Sequence, residues 1–117
     1  MYHGWTDQLI APANSINYLQ SVELVLGGRA KTADTIRLFM VPGMTHCAGG
    51  DGTASFDMVK ALEQWVEERQ PPMRVVASRL ENDKIVRTRP LCPYPQIARY
   101  SGSGSSDDAA NFACQAP

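Results

Sequence analysis

Residues 39–50 have the sequence Phe39-Met40-Val41-Pro42-Gly43-Met44-Thr45-His46-Cys47-Ala48-Gly49-Gly50. An apolar run leads into this segment, the Pro42-Gly43 pair stops it, and His46 follows closely. In α/β proteins the loops after the carboxyl ends of parallel strands carry the functional side chains. The pattern therefore predicts an interior strand over residues 36–41 that ends in a loop, with His46 presented at the edge of a sheet.

A second informative segment lies at the start of the chain. Residues 2–10 have the sequence Tyr2-His3-Gly4-Trp5-Thr6-Asp7-Gln8-Leu9-Ile10. The first of these residues are typical of the end of a strand whose earlier part is not in the chain, and Asp7 follows them. The residues between Asp7 and His46 suffice for one helix and one strand, so neighbouring strand ends are expected to bring these two side chains together.

The residues between the two segments show a helical pattern. Apolar residues at three- and four-residue steps predict a helix that begins near residues 13–15, with Asn14 or Ser15 as its N-cap. Gly27 and Gly28 are expected to end it. Residues 29–35 are predicted to form a polar connector.

The residues after the His46 loop predict a second helix and a hairpin. Thr53 or Ser55 is the expected N-cap of the helix, and Pro71-Pro72 the stop. Residues 73–80 and 84–88 then form two strands joined by a turn. The alternation of strands and helices predicts an α/β fold with an incomplete parallel sheet, in the order strand end, helix, strand, helix, hairpin, tail.

The composition limits the classes of function. A chain of 117 residues with 44% apolar and 20% charged residues is of ordinary single-domain size and globular composition. The net charge of −1 gives no electrostatic footprint for nucleic acid. No apolar run approaches the roughly 20 residues of a membrane span. We therefore predict neither a nucleic-acid partner nor a membrane partner.

The three cysteines leave two interpretations open. Cys92 and Cys114 lie in a tail rich in proline and glycine, and Cys47 lies in the central loop. A Cys92–Cys114 bridge would contribute about 3 kcal/mol and would indicate an oxidising compartment. Three reduced thiols in a cytosolic protein are the alternative. Residues 101–106 alone are typical of a flexible linker, but Cys114 just beyond them favours a pinned loop.

His46 and Asp7 are the candidate catalytic residues. A histidine base needs exposure and a partner that fixes its tautomer, and Asp7 can accept a hydrogen bond from one ring nitrogen. No Gly-x-Ser-x-Gly segment is present, so the serine nucleophile of such a triad is predicted to be absent from the chain. The alternative is that His46 and Asp7 have unrelated roles. His3 is interpreted as a strand-end residue without a chemical role, and Trp5 as a packing group that could line a pocket.

A zinc site is a competing interpretation of the same residues. His3, Asp7, His46 and Cys47 carry suitable ligand atoms. Neither a His-x-x-x-His nor a Cys-x-x-Cys spacing supports the site, so no metal ligands are predicted.

Both segments resemble the tannase and feruloyl esterase family. The resemblance rests on residues 2–10 and on Val41 through Gly50, where the His-Cys pair within Pro-Gly-Met-x-His-Cys is distinctive. It extends into the tail, through Arg89-Pro90-Leu91-Cys92-Pro93-Tyr94-Pro95 and Asn111-Phe112-Ala113-Cys114. It covers nearly the whole chain.

The resemblance implies the fold and the site roles. Residues 1–117 would be the carboxyl-terminal part of an α/β-hydrolase catalytic domain, with a strand and helix portion at 1–88 and a disulfide-pinned tail at 89–117. Asp7 matches the triad acid and His46 the triad base. Cys47 matches a cysteine that is bridged to one beside the nucleophilic serine, a partner missing from this chain. Cys92 and Cys114 match a carboxyl-terminal disulfide.

The resemblance also implies a substrate and a cellular setting. The family cleaves esters of aromatic acids such as gallate and hydroxycinnamates, and it is secreted or periplasmic. The nucleophile and a lid with a calcium site belong to an amino-terminal part that this sequence lacks, so no cofactor is expected within this chain. Substrate-binding residues are not identified. The rival interpretation is a non-catalytic truncated or binding module with the same fold pattern.

Overall fold

Two short parallel strands form the centre of the molecule. The computed structural model describes all residues from Met1 to Pro117. Strand β1 (Tyr2–Gly4) pairs with β2 (Phe39–Val41), so that Tyr2 faces Phe39 and Gly4 faces Val41. All three residues of β2 are buried, as its apolar sequence predicts, and within this chain its one ladder partner is β1. The strand is shorter than predicted, since its ladder with β1 begins at Phe39.

Helix α1 (Ala13–Leu26) connects the two strands. Its N-cap is Pro12 and no side chain caps it, so the prediction of Asn14 or Ser15 as the cap was wrong. The Ser15 hydroxyl is instead hydrogen-bonded to the His3 ring. Gly27 ends the helix with φ +86°, and its position is the one predicted.

The predicted polar connector contains a short helix, α2 (Arg29–Thr32). Its last residue, Thr32, is buried, and the Thr32 hydroxyl donates to the Arg29 carbonyl at 3.2 Å. A four-residue helix is too short to show an apolar period, which is why the sequence pattern did not indicate it.

Helix α3 (Met58–Glu68) follows the His46 loop. Asp57 caps it by accepting a hydrogen bond from the Lys60 backbone N–H at 2.9 Å. The prediction of Thr53 or Ser55 as the cap was therefore wrong. Thr53 is buried, and Ser55 forms an isolated bridge with Ser78.

The predicted hairpin is present as β3 (Val75–Glu81) and β4 (Lys84–Leu91). Its turn residues Asn82 and Asp83 both have positive φ, as tight hairpin turns require. Strand β4 is three residues longer than predicted at its end and leads directly into Cys92.

The tail forms a second hairpin, β5 (Ile97–Tyr100) with β6 (Phe112–Gln115). Cys92 and Cys114 are joined by a disulfide with a Cα–Cα distance of 5.5 Å, so the bridge and the pinned loop are confirmed. Cys47 is a free, exposed thiol.

Two apolar clusters connect these elements. The larger contains Phe39, Val41 and Met44 from the centre together with Val75, Ala77 and Leu91 from the first hairpin. The smaller contains Leu19, Leu38 and Met40. The two faces of β2 therefore pack against different neighbours. Phe39 and Val41 pack against the first hairpin, and Met40 packs against Leu19 of α1. None of the helices has the length and apolar character needed to cross a bilayer.

Candidate active site

The loops after β1 and β2 are held together by backbone hydrogen bonds. Trp5 N–H donates to the Val41 carbonyl at 3.0 Å, and Thr6 N–H donates to the Met44 carbonyl at 3.1 Å. The Thr6 hydroxyl donates to the same Met44 oxygen at 2.7 Å. The two strand ends therefore continue side by side beyond the sheet, and Asp7 and His46 follow directly.

Gly4 makes this close approach possible. It is buried, and a Cβ atom at its position would overlap the backbone carbonyl oxygens of Met44 and Thr45. The glycine is required here for space, because its φ is not in the left-handed region.

His46 and Asp7 are hydrogen-bonded, as the sequence predicted. The distance from His46 Nδ1 to Asp7 Oδ2 is 2.9 Å. A carboxylate can only accept a hydrogen bond, so Nδ1 of His46 carries the proton and donates the hydrogen bond. The Asp7 side chain is only 4% exposed, whereas that of His46 is 39% exposed. Nε2 of His46 makes no hydrogen bond within the chain and is left for an external partner.

Asp7 is held ionised by several donors. Its Oδ1 atom accepts from the Leu9 N–H at 2.8 Å and the Ile10 N–H at 3.0 Å. The pKa of Asp7 lies well below its ordinary value, chiefly because of the Ile10 N–H, with His46 and Leu9 adding to the effect against the opposing cost of burial. Asp7 is therefore a carboxylate at neutral pH.

His3 is the residue of this site that the sequence analysis missed. Its Nε2 atom lies 3.0 Å from Asp7 Oδ2 and 3.2 Å from the Ile10 carbonyl, and its Nδ1 atom lies 2.7 Å from Ser15 Oγ. The four-residue spacing of His3 and Asp7 across a strand end was the available signal. It was not recognised because the strand-end pattern alone explained the position of His3.

The His46 loop is closed by its own backbone. Thr45 N–H donates to the Gly49 carbonyl at 3.3 Å, and Ala48 N–H donates to the His46 carbonyl at 2.8 Å. Cys47 has φ +63° and its exposed thiol has no partner in the chain. This tight turn fixes the backbone position from which the His46 side chain extends.

The structure does not assemble the zinc site considered above. No group of three or more His, Cys, Asp or Glu side chains is arranged to hold a metal ion. His3, Asp7 and His46 contact one another through hydrogen bonds instead. No serine is hydrogen-bonded to His46.

A cavity of 380 Å³ lies beside the site, between the centre of the molecule and the tail. Its lining includes Trp5, Met40 and Thr53 together with Arg89 of β4 and Phe112 of β6. Trp5 therefore does line a pocket. Asp7 and His46 are not part of its walls.

Comparison with known proteins relates this geometry to a family. The family profile described as "Tannase and feruloyl esterase" matches residues 1–115. The mono(2-hydroxyethyl) terephthalate hydrolase of Piscinibacter sakaiensis is 45% identical over 120 residues, which cover 100% of this chain and 19% of that protein. A probable feruloyl esterase of Arthroderma benhamiae is 41% identical over 117 residues, covering 97% of this chain and 22% of the relative.

A comparison with solved structures also points to this family. The crystal structure of feruloyl esterase B from Aspergillus oryzae superposes with a TM-score of 0.89 at 29% identity, over 97% of this chain and 26% of that one. The chain thus spans about a fifth to a quarter of the length of these relatives. The predicted fold class, part of an α/β-hydrolase-type esterase domain, is confirmed. The chain belongs to the tannase and feruloyl esterase family.

Proposed function

We propose that this chain supplies the acid and the base of a serine ester hydrolase, with Asp7 as the acid and His46 as the base. The observation that carries the proposal is the 2.9 Å hydrogen bond between His46 Nδ1 and a nearly buried Asp7 carboxylate, with Nε2 left free. This is the arrangement that a triad needs on the side away from the nucleophile. Membership of an esterase family supports it.

The proposed chemistry is proton transfer at one ring nitrogen. His46 Nε2 takes the proton of a serine hydroxyl as the serine attacks the ester carbonyl, and later returns it to the leaving alcohol. Asp7 stays ionised, holds Nδ1–H and stabilises the imidazolium that forms between the two steps. The serine and the donors that stabilise the oxyanion come from residues outside this chain.

Cys47 is proposed to join the two parts of the site. Its exposed thiol follows His46 directly, on a turn whose backbone is fixed. A disulfide from Cys47 to a cysteine beside the serine would hold base and nucleophile together. In this proposal, that partner cysteine and the lid with its calcium site belong to residues outside this chain.

The substrate class follows from the relatives. We infer esters of aromatic acids, because the similar proteins are described as a terephthalate monoester hydrolase and feruloyl esterases. The Cys92–Cys114 disulfide supports a secreted or periplasmic protein, since such bonds persist in oxidising compartments.

A chimera tests the roles directly. In it, this chain replaces the matched segment of the Piscinibacter sakaiensis relative, and hydrolysis of mono(2-hydroxyethyl) terephthalate and methyl ferulate is followed. We expect turnover, a loss of about ten-thousand-fold in kcat for Asp7→Asn, and a comparable or larger loss for His46→Ala.

The control is Asp34→Asn, which changes an exposed carboxylate without a hydrogen-bond partner. It should retain the activity of the parent chimera. Full activity of the His46→Ala chimera would contradict the proposed base. A folded chimera without turnover would favour a non-catalytic module.

A further inference from the structure

We propose that His3 is a positioning residue that orients Asp7 toward His46. The proposal rests on the proposed function, because it concerns how the acid of that site is held. The ring of His3 lies between Ser15 on α1 and Asp7, and its side chain is only 10% exposed. His3 is thus a nearly buried imidazole whose two nitrogens both have partners.

The partners fix the tautomer of His3. Nε2 faces the Asp7 carboxylate and, at 3.2 Å, the Ile10 carbonyl, and both of these groups only accept. Nε2 therefore carries a proton. In the neutral ring Nδ1 is then the acceptor for the Ser15 hydroxyl at 2.7 Å. His46 has the opposite arrangement, because its Nδ1 atom is the one that donates to Asp7.

Asp7 consequently lies between two imidazoles. One oxygen, Oδ2, accepts from His3 at 3.0 Å and from His46 at 2.9 Å, while Oδ1 accepts from two backbone N–H groups. With a donor on each side of Oδ2 and the other oxygen held by the loop, the carboxylate plane cannot turn about its terminal bond. The carboxylate plane is thus held in the orientation in which Oδ2 accepts the hydrogen bond from His46.

The series of contacts extends from a rigid element to the reacting atom. Ser15 lies in the first turn of α1, and it holds His3, which holds Asp7, which holds His46. Without His3, Asp7 keeps its backbone donors on Oδ1 but loses one constraint on Oδ2. The carboxylate can then turn away from His46 during part of each catalytic cycle.

Three substitutions in the chimera distinguish positioning from packing. His3→Leu fills space without a donor and should lower kcat about ten- to a hundredfold, the range for a hydrogen bond to a charged group. KM should stay unchanged, because His3 is nearly buried and both of its ring nitrogens are already hydrogen-bonded within the chain. His3→Gln places an amide N–H near the position of Nε2 and should restore most of the rate. His3→Asn is too short to do so and should remain slow.

A matched control lies on the same helix. Tyr18→Phe changes an exposed residue of α1 and should leave kcat and KM unaltered. Ser15→Ala removes only the bond to His3 Nδ1 and should lower kcat less than His3→Leu. If His3→Leu had the kcat of Tyr18→Phe while Asp7→Asn remained inactive, the inference would be overturned and the proposed function would stand.

A second measurement does not depend on turnover. The chain has two histidines, so ring ¹⁵N spectra of the chimera, isotope-labelled only in this 117-residue segment, are simple to assign. We expect an Nε2–H tautomer for His3 and an Nδ1–H tautomer for His46, with the His46 ring becoming a mixture of tautomers in His3→Leu. An Nδ1–H tautomer for His3, or a His46 signal unaffected by His3→Leu, would contradict the positioning role. An inactive chimera would count against the proposed function alone.

Discussion

Asp7 accepts more hydrogen bonds than any other side chain of the candidate site. Two backbone N–H groups and two imidazoles donate to it, and its pKa is lowered accordingly. A carboxylate whose folded pKa is depressed stabilises the fold at pH values above its ordinary pKa of 3.8. This contribution is lost as the pH falls below 3.8 towards the lower folded value.

The resulting prediction concerns acid stability. Asp7→Asn should unfold more easily than the wild type at neutral pH, and the difference should shrink as the pH falls below 3.8. Urea unfolding curves of both proteins across this range measure it. A difference that stayed constant down to the lowest pH would show that Asp7 does not gain from ionisation in the folded state.

Gly4 supports a second prediction at the same scale. Gly4→Ala should destabilise the protein by about 3 kcal/mol, because the new Cβ meets two backbone carbonyls that cannot move independently. Urea unfolding measures the loss of stability. The bond from Thr6 N–H to the Met44 carbonyl should also break, with faster amide exchange of Thr6.

Gly102→Ala is the control for that substitution. Gly102 has φ +88° but open space around it, so alanine there costs only the roughly 1–2 kcal/mol of the left-handed conformation. Thr6 should exchange as in the wild type. Equal exchange of Thr6 in both variants would contradict a steric role of Gly4.

The sequence was informative about residues whose position follows from strand ends. Asp7 and His46 could be paired because parallel strands bring their carboxyl ends to one edge. His3 could not be placed, because the direction of a side chain within a strand of only three residues depends on what packs beside it. Here that neighbour is Ser15 of α1, which pattern analysis assigned to a cap.

At the scale of elements, local patterns decided what could be predicted. The β3–β4 hairpin has alternating residues and a recognisable turn, so its existence was predicted correctly. Strands β5 and β6 were missed because they are four residues each and are joined by a segment rich in serine and glycine. The disulfide joins β6 to the end of β4, so the position of this hairpin depends on long-range contacts that a local sequence pattern does not show.

The disulfide gives the prediction at this scale. Replacing Cys92 and Cys114 together by serine should cost about 3 kcal/mol, since the bridge closes a loop with a sequence separation of 22 residues. The loss should be concentrated in β5 and β6, which amide exchange measures residue by residue. Unchanged protection of these two strands would show that packing alone holds the tail.

The whole molecule exposes more large apolar side chains than a self-sufficient domain needs. Leu24 and Val25 at the end of α1 are 83% and 82% exposed, and Val59, Leu62 and Val66 of α3 are also exposed. Since the chain spans only about a fifth to a quarter of its relatives, the isolated protein should self-associate.

Light scattering measures that prediction. The apparent mass should rise above 12.8 kDa with concentration, and the double variant Leu24→Lys with Val25→Glu should reduce the rise. Ser21→Lys on an exposed polar position of the same helix should not. A wild-type protein that remained monomeric at every concentration would contradict this view.

The parallel pairing of β1 with β2 also has a consequence in time. Both hairpins join residues that are close along the chain, and such hairpins form in about 1–10 μs. The β1–β2 ladder must first enclose α1 and α2, and distant pairing of this kind slows folding. During refolding, Asp7 and His46 should thus meet only after the two hairpins have formed, so the candidate site is the last part of the molecule to assemble.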